Sequence, residues 1–460
     1  MRIVLVHAPV ERIIEEYDAP AYPHLGLACL ATYARRKEFD VAVIDAKFER
    51  LTLPSLLTRI KALGGERLVI GLTAMTHDIT RNAFVAGELK RHFPGVTVLI
   101  GGVHVSALPR QTFQEFPTFD IGVIGEGEVT FIELLSALRD GGPLSAVRGL
   151  VYREGPEVIL SEGRGWIDDL DVVGYPDWDL FPSAQEYPVN IGRGCPVPCI
   201  FCMRASGTKS RFRSAANILE ELDLLNRKYK PQYVRFFGDD FAADKVLTHT
   251  ILEGLSQIKP VFKWCAGMRV SNIDKSILQA MKRAGCEHFE IGVESGNKDI
   301  LKAIRKGIAL EKVEKAVRLA KEVRLDCWCY FILGHPHETE KTALDTINIL
   351  CKLNPTQAAV GIMVPYPGTE IWNMAVRGEG GYTLLSHDWQ DYNKQLGNAL
   401  ELEHLSRRQL ECLQMRAYVM LFVSNFRFLD FLKFCWRYRR EAYFFLRHYL
   451  TRLFNPNRLK

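Results

Sequence analysis

Three cysteines lie close together in a short loop whose composition is suited to metal chemistry. Cys195, Cys199 and Cys202 are spaced as C-x-x-x-C-x-x-C inside the segment NIGRGCPVPCIFC, which glycine and proline stiffen. Thiolates are the usual ligands of iron–sulfur clusters, and three of them can hold three corners of a four-iron cubane. The fourth iron would then stay open to another molecule, just as catalytic zinc sites keep an open position. The spacing therefore predicts a catalytic cluster.

Zinc, a disulfide or chance burial would account less well for these cysteines. A structural zinc site needs a fourth Cys or His at a suitable spacing, and no other Cys or His lies between Ser183 and Lys230. A disulfide would leave one thiol over and is typical of secreted proteins. Three unrelated buried cysteines would seldom fall at this spacing. The cluster is the favoured interpretation, and zinc is the second.

With an aromatic residue just before its last cysteine, the motif resembles that of the radical S-adenosylmethionine (SAM) superfamily. The resemblance implies that Cys195, Cys199 and Cys202 hold a 4Fe–4S cluster and that Phe201 lies beside the adenine of SAM. It further implies that SAM chelates the open iron through its amino and carboxylate groups. An electron from the cluster then cleaves SAM to methionine and a 5′-deoxyadenosyl radical.

The composition is that of a globular protein with more than one domain. The chain of 460 residues is too long for one ordinary core, and its 47% apolar and 25% charged residues are typical of soluble proteins. Its eleven cysteines are scattered, the start does not read as a signal peptide, and no apolar run approaches ~20 residues. We therefore expect a cytoplasmic protein.

Over the first 140 residues, apolar strand patterns alternate with helical patterns. This alternation predicts a parallel, doubly wound, Rossmann-like α/β sheet. The predicted strands are 2–6, 41–44, 68–72, 96–100 and 121–124, and the predicted helices are 24–36, 53–63, 79–92 and 130–139. Ligands bind beyond the carboxyl ends of such strands, where glycine lets the backbone approach a bulky ligand.

Segments 22–27, 71–73, 100–104 and 125–128 resemble the cobalamin-binding domain that precedes many radical SAM domains. The resemblance covers residues 1–140 and implies cobalamin contacts from Thr73, Gly101, Gly102, His104, Gly125, Glu126 and Gly127. For His104, a solvated loop position is the alternative. The chain departs from the D-x-H-x-x-G motif whose histidine ligates cobalt, because Leu5 and Val10 replace its Asp and Gly. We therefore expect His7 to be a loop residue and cobalamin to bind without a protein histidine below the metal.

The next two segments differ in pattern. Residues 141–187 read as a connector with one hairpin around 149–160. From 188 to 370, predicted strands at 189–191, 233–237, 262–266, 288–293, 327–333 and 358–364 alternate with helices. Six such units predict a partial (βα)6 TIM-type barrel, the architecture that the radical SAM resemblance also implies. In βα barrels, catalytic groups lie at the carboxyl ends of the strands.

Charged residues follow the second and third of these strands. SAM carries a cationic amine and a sulfonium, so carboxylates are expected near it. Gly238, Asp239 and Asp240 occupy the position of the family's amine-binding motif, and a helix N-cap is the alternative. Arg269 can pair with the methionine carboxylate of SAM, with a structural salt bridge as the alternative.

The resemblance implies further SAM contacts. Glu294 or Ser295 would bind the ribose hydroxyls, and Ile332 and Gly334 would lie on the strand that backs the adenine. We interpret the other cysteines of this region as small buried hydrophobic residues, namely Cys265, Cys286, Cys327, Cys329 and Cys351. No second C-x-x-C group exists, so an auxiliary cluster is not expected.

Residues 371–460 read as a helical C-terminal region with an unusual end. From Arg416 to Lys460 there are ten Lys and Arg against two acids, and thirteen aromatic residues. Tyr418, Phe422 and Phe426 are spaced by four, as are Phe434 and Tyr438, and Arg437, Arg439 and Arg440 cluster between them. Helices that close the barrel are the favoured interpretation. The alternative is a basic aromatic surface that lies on an anionic membrane or covers an apolar substrate; no RNA-binding motif accompanies the charge, so nucleic acid is not expected.

Together these features predict a cobalamin-dependent radical SAM enzyme with a 4Fe–4S cluster, SAM and cobalamin as cofactors. The predicted reaction is methylation of an unactivated carbon of a small-molecule substrate through methylcobalamin, with flavodoxin or ferredoxin as electron donor. The aromatic end of the chain favours a large apolar substrate. The alternative reaction is that of a non-methylating cyclase or ring-forming enzyme that acts on a tetrapyrrole- or lipid-like substrate. A methylthiotransferase is set aside, because only Cys29 precedes Cys195.

Overall fold

The structure is a computed structural model, and it describes residues 1–10, 20–393, 398–437 and 439. Its first part alternates strands with helices, as the sequence predicts. The elements are β1 (Arg2–His7), α1 (Leu25–Arg36), β2 (Val41–Asp45), α2 (Leu53–Leu63), β3 (Leu68–Thr73), α3 (Ile79–His92), β4 (Thr97–Gly101), α4 (Val103–Ala107), α5 (Pro109–Glu115), β5 (Ile121–Val123), α6 (Gly127–Asp140), β6 (Leu150–Glu154) and β7 (Glu157–Leu160).

These strands form one sheet in the order β2-β1-β3-β4-β5-β6-β7. Strands β1 to β5 are parallel, and their side chains are buried on both faces because helices cover both sides. The order 2-1-3-4-5 places a topological switch point between β1 and β3, where such sheets bind ligands beyond the strand ends. The predicted doubly wound sheet is confirmed.

The predicted hairpin around 149–160 forms as β6 and β7. It pairs with β5 in antiparallel fashion, so the first sheet continues to Leu160. The sequence pattern placed this hairpin in a connector, because only the tertiary structure shows which edge a hairpin joins.

The second part contains six strand–helix units. The elements are β8 (Glu186–Asn190), β9 (Gly192–Arg193), β10 (Arg211–Phe212), α7 (Ala215–Leu224), β11 (Tyr233–Phe237), α8 (Lys245–Ile258), β12 (Lys263–Gly267), α9 (Lys275–Arg283), β13 (Cys286–Glu294), α10 (Lys298–Ala303), α11 (Leu310–Val323), β14 (Asp326–Leu333), α12 (Glu340–Leu353), β15 (Gln357–Ile362) and α13 (Glu370–Arg377).

Six of these strands form a parallel sheet in the order β15-β14-β13-β12-β11-β8. Among the described residues, β8 and β15 do not pair with each other, so the barrel is open, as predicted. Alternate residues of each strand face the helices or the barrel interior. In β11, Val234 and Phe236 pack in the hydrophobic core, whereas Tyr233, Arg235 and Phe237 are only partly buried.

The last described elements are β16 (Tyr382–Leu384), β17 (Leu400–Leu402), α14 (Arg407–Val423) and α15 (Phe428–Arg437). Helix α14 covers the open edge strand β15. The Tyr418 hydroxyl accepts from the Val360 N–H at 3.0 Å, and the Gln414 amide donates to the Val360 carbonyl at 2.7 Å. This helix satisfies backbone groups that an edge strand leaves unpaired. Tyr438 and residues 440–460 of the basic aromatic end lie outside the described residues.

One hydrophobic cluster joins the two sheets. It includes Leu5 and Leu27 from the first part of the chain and Val189, Ile191 and Phe236 from the barrel. The two parts therefore share a core, which fixes the ends of their strands relative to each other.

Candidate active site

The cluster loop follows β8 and β9 and keeps three free thiols. Cys199 is buried, Cys195 is partly buried and Cys202 is exposed. Burial raises the pKa of the Cys199 thiol, so this thiol would stay protonated until a metal binds. Gly194 turns the chain with φ +90°, and a Cβ there would lie 2.2 Å from the Lys209 carbonyl oxygen, so only glycine fits.

The spacing of these thiols fits a cluster better than a single ion. Among the described residues, only one set of three Cys, His, Asp or Glu side chains has its ligand atoms within 4.8 Å of one another, and that set lies elsewhere. The three sulfurs of Cys195, Cys199 and Cys202 are therefore farther apart than this. One metal ion requires such closeness, whereas a cubane spreads its thiolates over separate corners. The zinc interpretation is therefore the weaker one on geometry as well as on sequence.

Lys306, which the sequence analysis did not identify, gathers several predicted residues around the cluster loop. Its ammonium lies 2.6 Å from Glu294 Oε1 and 5.8 Å from the centroid of the Phe201 ring. Its backbone carbonyl accepts from Arg269 Nη2 at 3.1 Å. Its charge also lowers the pKa of the Cys199 thiol, against the larger effect of burial. A single lysine in a loop has no sequence signal, so only the fold reveals this role.

The two acids of the G-D-D segment have different environments. Asp240 is buried and accepts three hydrogen bonds, from the Arg269 N–H at 3.0 Å, the Asn272 amide at 2.6 Å and the Ala242 N–H at 3.2 Å. Its carboxylate is thus used within the protein. Asp239 is exposed at the end of β11, and the Gly194 N–H beside the cluster loop lies near its carboxylate. Asp239 is the acid that remains available to a cationic ligand.

Glu294 and Ser295 also have different environments. Ser295 is fully buried and hydrogen-bonds to Thr346 Oγ1 at 3.1 Å and to the Asn297 N–H at 3.1 Å. Glu294 adopts φ +68°, an uncommon conformation for a residue with a side chain. A Cβ on Gly292 would lie 2.3 Å from Glu294 Oε1, so glycine at this position makes room for the carboxylate.

Two residues that the sequence did not reveal, Glu338 and His335, lie at the end of β14. At this end, Ile332 is partly buried and Gly334 is buried. Glu338 accepts from the Gly334 N–H at 2.5 Å and the His335 N–H at 3.3 Å, and burial raises its pKa to about 7. His335 is fully buried, lies 6.3 Å from the Phe201 ring, and has its pKa lowered to about 4 by burial. Neither residue has a distinctive spacing from the cysteine motif.

Several predicted cobalamin residues line the ends of β3, β4 and β5. Thr73 and Gly101 are paired neighbours at the ends of β3 and β4. Gly102 has φ +103°, and a Cβ there would lie 2.5 Å from the Ala74 carbonyl oxygen. A Cβ on Gly125 would meet nothing within 4 Å, so this backbone faces open space. We call these strand ends with Gly101, Gly102 and Gly125 the glycine cradle: Gly102 allows the close approach of the Ala74 backbone, and Gly125 leaves open space beside it.

The other residues predicted to contact cobalamin, His104, Glu126 and Gly127, have partners within the protein or begin a helix. His104 is 1% exposed, packs edge-on against Trp389 with ring centroids 4.9 Å apart, and has its pKa lowered to about 4 by burial; it is not a solvated loop residue. Glu126 is bound by Arg211, and Gly127 begins α6. His7, which was expected in a loop, is the last residue of β1, and its Nδ1 lies 2.8 Å from Oδ1 of its strand neighbour Asp45.

The glycine cradle and the cluster loop meet at one residue. A Cβ built on Gly368, in the turn after β15, would lie 3.1 Å from Met203 Cγ and 3.3 Å from Ala107 Cβ. Met203 follows the last cluster cysteine, and Ala107 ends the helix that follows Gly102. Tyr22 and Phe237 add a ring contact of 5.6 Å between the same two parts. The cluster loop and the helix that follows Gly102 are therefore in contact through the turn after β15.

The fold and the site define a radical SAM protein with a cobalamin-binding domain. The model of the Radical SAM superfamily matches residues 189–350, and that of the B12 binding domain matches residues 18–135. An uncharacterised methyltransferase of Pyrococcus horikoshii is 33% identical over 432 residues, which cover 92% of this chain and 93% of that protein. The chain therefore belongs to the cobalamin-binding branch of the radical SAM superfamily.

Two further comparisons agree with this membership. The anaerobic magnesium-protoporphyrin IX monomethyl ester cyclase of Synechocystis is 25% identical, over 82% of this chain and 77% of its own. The structure of the methyltransferase TsrM from Kitasatospora setae, with cobalamin and a 4Fe–4S cluster bound, superposes with a TM-score of 0.72 at 17% identity, covering 92% of this chain and 88% of that one. This last likeness concerns the fold alone.

The protein is thus a radical SAM enzyme whose cofactors are a 4Fe–4S cluster, SAM and cobalamin, as predicted. The three free thiols, the exposed Asp239 and the glycine cradle fit these groups. A small-molecule substrate and a redox partner are consistent with this class of enzyme. In the described part of the chain, no helix has the length and apolar character needed to cross a bilayer.

Proposed function

We propose that the protein transfers a methyl group to an unactivated carbon of a small molecule. When bound, the cluster and SAM supply a carbon-centred radical, and cobalamin supplies a methyl donor. The observation that carries the proposal is the contact of Met203, Gly368 and Ala107, because it joins the cluster loop to the glycine cradle. The similarity to the uncharacterised methyltransferase of Pyrococcus horikoshii supports methyl transfer.

The residues of the chain divide into binding and positioning groups under this proposal. Asp239 binds the amine of SAM, and Arg269 binds its carboxylate through the guanidinium nitrogens that Lys306 leaves free. Phe201, Ile332 and Gly334 enclose the adenine, and Glu294 binds the ribose while Lys306 orients its carboxylate. Asp240 and Ser295 have positioning roles, because their polar atoms are already bound within the protein, and Glu338 holds the Gly334 N–H through one carboxylate oxygen. Thr73, Gly101, Gly102 and Gly125 contact the corrin.

The two acids provide a matched test of this division. Asp239→Asn should weaken SAM binding about tenfold or more in a direct binding assay and leave the unfolding midpoint unchanged, since a charge-assisted hydrogen bond is lost. Asp240→Asn should lower the unfolding midpoint, since a buried acceptor of three hydrogen bonds is altered. Unchanged SAM affinity in folded Asp239→Asn protein would contradict the amine-binding role.

Methyl-deuterated SAM distinguishes the methyltransferase from its alternative. We expect reduced, cobalamin-loaded protein to form S-adenosylhomocysteine and to move the label onto cobalamin, as well as to form 5′-deoxyadenosine. A cyclase, which the similarity to the Synechocystis enzyme favours, would form 5′-deoxyadenosine without S-adenosylhomocysteine. The Cys199→Ala variant is the control for deoxyadenosine formation, and this second pattern in the intact protein would overturn methyl transfer.

We further propose that α15 and the residues before it contact an anionic membrane surface. Phe426, Leu429, Leu432 and Trp436 are 83%, 74%, 63% and 71% exposed, and Lys433 is exposed beside them. Apolar side chains flanked by cations are typical of helices that lie in a membrane interface. The full chain should float with vesicles of anionic lipid and not with zwitterionic ones, and Leu429→Glu should abolish flotation. Absence of flotation with anionic vesicles would contradict this contact.

A further inference from the structure

A set of metal-ligating side chains lies inside the barrel, apart from the cluster loop. Cys265 on β12 and His288 and Glu290 on β13 bring a sulfur, a ring nitrogen and a carboxylate oxygen within 4.8 Å of one another. Cys265 pairs with His288 and Gly267 with Glu290 in the register of the two strands. Cys265 lies on β12, before Arg269, and His288 and Glu290 come before Glu294 on β13, so the three residues form a layer below the residues assigned to SAM.

The ring of His288 is held in the orientation of a metal ligand. Its Nδ1 lies 3.0 Å from the Tyr233 hydroxyl, and its ring stacks on Trp328 with centroids 3.8 Å apart. Its Nε2 is buried, has no hydrogen-bond partner among the described residues, and lies 3.5 Å from Glu290 Oε1. Metal-ligating histidines have this arrangement, in which the other nitrogen is bonded to a supporting group.

The charges around the three residues favour the binding of a cation. Arg235 is bound by two carboxylates, Glu186 at 3.0 Å and Glu290 at 3.0 Å, so the layer has one negative charge in excess. Cys265 is 1% exposed, so its sulfur lies beside these charges and away from solvent. A divalent ion that displaced the thiol proton into solvent would bring the layer to neutrality, because +2 offsets the excess carboxylate and the new thiolate.

We propose that Cys265, His288 and Glu290 bind one divalent transition-metal ion, with zinc as the preferred ion. One sulfur, one nitrogen and one oxygen ligand suit zinc, which accepts all three. Three protein ligands leave a fourth position open to water or to a polar group of a substrate in the barrel. The ligands are separated by 23 and 2 positions on two strands, so no sequence motif reveals them.

The proposal does not depend on methyl transfer, and metal analysis tests it directly. Protein purified anaerobically with its cluster intact should contain about one zinc per chain besides the cluster iron. Cys265→Ser and His288→Gln should lose the zinc and keep the iron, whereas Cys199→Ala should lose the iron and keep the zinc. Cys329→Ser, which alters a buried cysteine of the next strand outside the set, should keep both metals.

X-ray absorption at the zinc edge of the unaltered protein decides the matter even if a variant fails to fold. We expect one sulfur ligand at about 2.3 Å and the remaining ligands at about 2.0–2.1 Å. Protein with a full iron content that binds no zinc when titrated with it would overturn the proposal. If zinc persists in folded Cys265→Ser and His288→Gln protein, or if its spectrum shows several sulfur ligands, the zinc is bound at another site. Either result would also overturn the proposal.

Discussion

Glu126 and Arg211 form a two-point ion pair between the cobalamin-binding domain and the barrel. Arg211 Nη2 lies 2.8 Å from Glu126 Oε1, Arg211 Nη1 lies 3.0 Å from Oε2, and the two side chains are only 3% and 6% exposed. The neighbouring Glu128 binds Arg193 at 2.5 Å, two residues before Cys195. The acids of the 125–128 segment therefore connect the glycine cradle to the cluster loop.

Removing the charge of Glu126 should destabilise the protein strongly. Glu126→Gln leaves the Arg211 guanidinium buried without its counter-charge, and breaking a buried pair in this way costs about 3–5 kcal/mol. The free energy of unfolding from urea titration measures the loss. Asp140→Asn, which breaks an exposed pair with Arg139, is the control and should leave the urea midpoint unchanged. Equal effects of the two substitutions would contradict a structural role for the buried pair.

The cluster should depend on each cysteine of the loop and on no other thiol nearby. Cys199→Ala should lower the iron content of anaerobically reconstituted protein from about four per chain to near none, since two thiolates do not hold a cubane stably. Cys412→Ala, which removes an exposed thiol on α14, should leave iron and the cluster absorbance unchanged. An intact four-iron spectrum in Cys199→Ala would refute the ligand assignment.

Gly102→Ala should impair the cobalamin cradle. The added Cβ would lie 2.5 Å from the Ala74 carbonyl oxygen at φ +103°, so the loop must shift, at a cost of more than about 1–2 kcal/mol. Protein produced with cobalamin present should retain much less of it, as read from the corrin absorbance. Gly87→Ala is the matched control within α3: its Cβ would be 3.6 Å from Thr118 Cγ2, and it should be neutral or stabilising by up to about 1 kcal/mol.

Glu338 should make stability decrease as the pH rises. Burial raises its pKa from 4.5 to about 7 in the folded state, so the folded protein binds a proton more tightly than the unfolded chain. The resulting stabilisation is complete below about pH 4.5 and is lost as the pH passes through about 7, a change of about 3 kcal/mol. The difference in unfolding free energy between Glu338→Gln and unaltered protein at pH 5 and pH 8 measures it. Glu340→Gln, at an exposed position of α12, should show no such difference.

Much of the fold was predictable, because it follows from local patterns. Strand patterns of three to seven residues marked both sheets, and their alternation with helices indicated parallel sheets with covered faces. Helices α4 and α5 were missed because they are short: α4 begins directly after Gly102, where the glycines indicated a loop, and α5 begins at Pro109. The hairpin of β6 and β7 was predicted, but its addition to the first sheet depends on contacts with β5 far along the chain.

The site was predicted less evenly. The cysteines were assigned from spacing, and Asp239, Arg269 and Glu294 do gather near the cluster loop at strand ends, as the barrel requires. Asp240 and Ser295, which follow Asp239 and Glu294 directly, were equally plausible ligand contacts from the sequence. Their polar atoms, however, are bound inside the protein. Lys306 and Glu338 were not recognised, since a lysine or glutamate in a loop becomes informative only when its partners are known.

The sequence by itself determined the chemistry: three thiols on one short loop can bind a cluster wherever the loop lies, because the ligands are local. It also determined the two sheets, since strand and helix periodicities are properties of short segments. The tertiary structure alone decided which acids are available to a ligand, which are bound by arginine, and that the cluster loop meets the glycine cradle at Gly368. It also brought Cys265, His288 and Glu290 together. These relationships depend on side chains from separate strands, whose proximity arises only when the sheets fold and share a core.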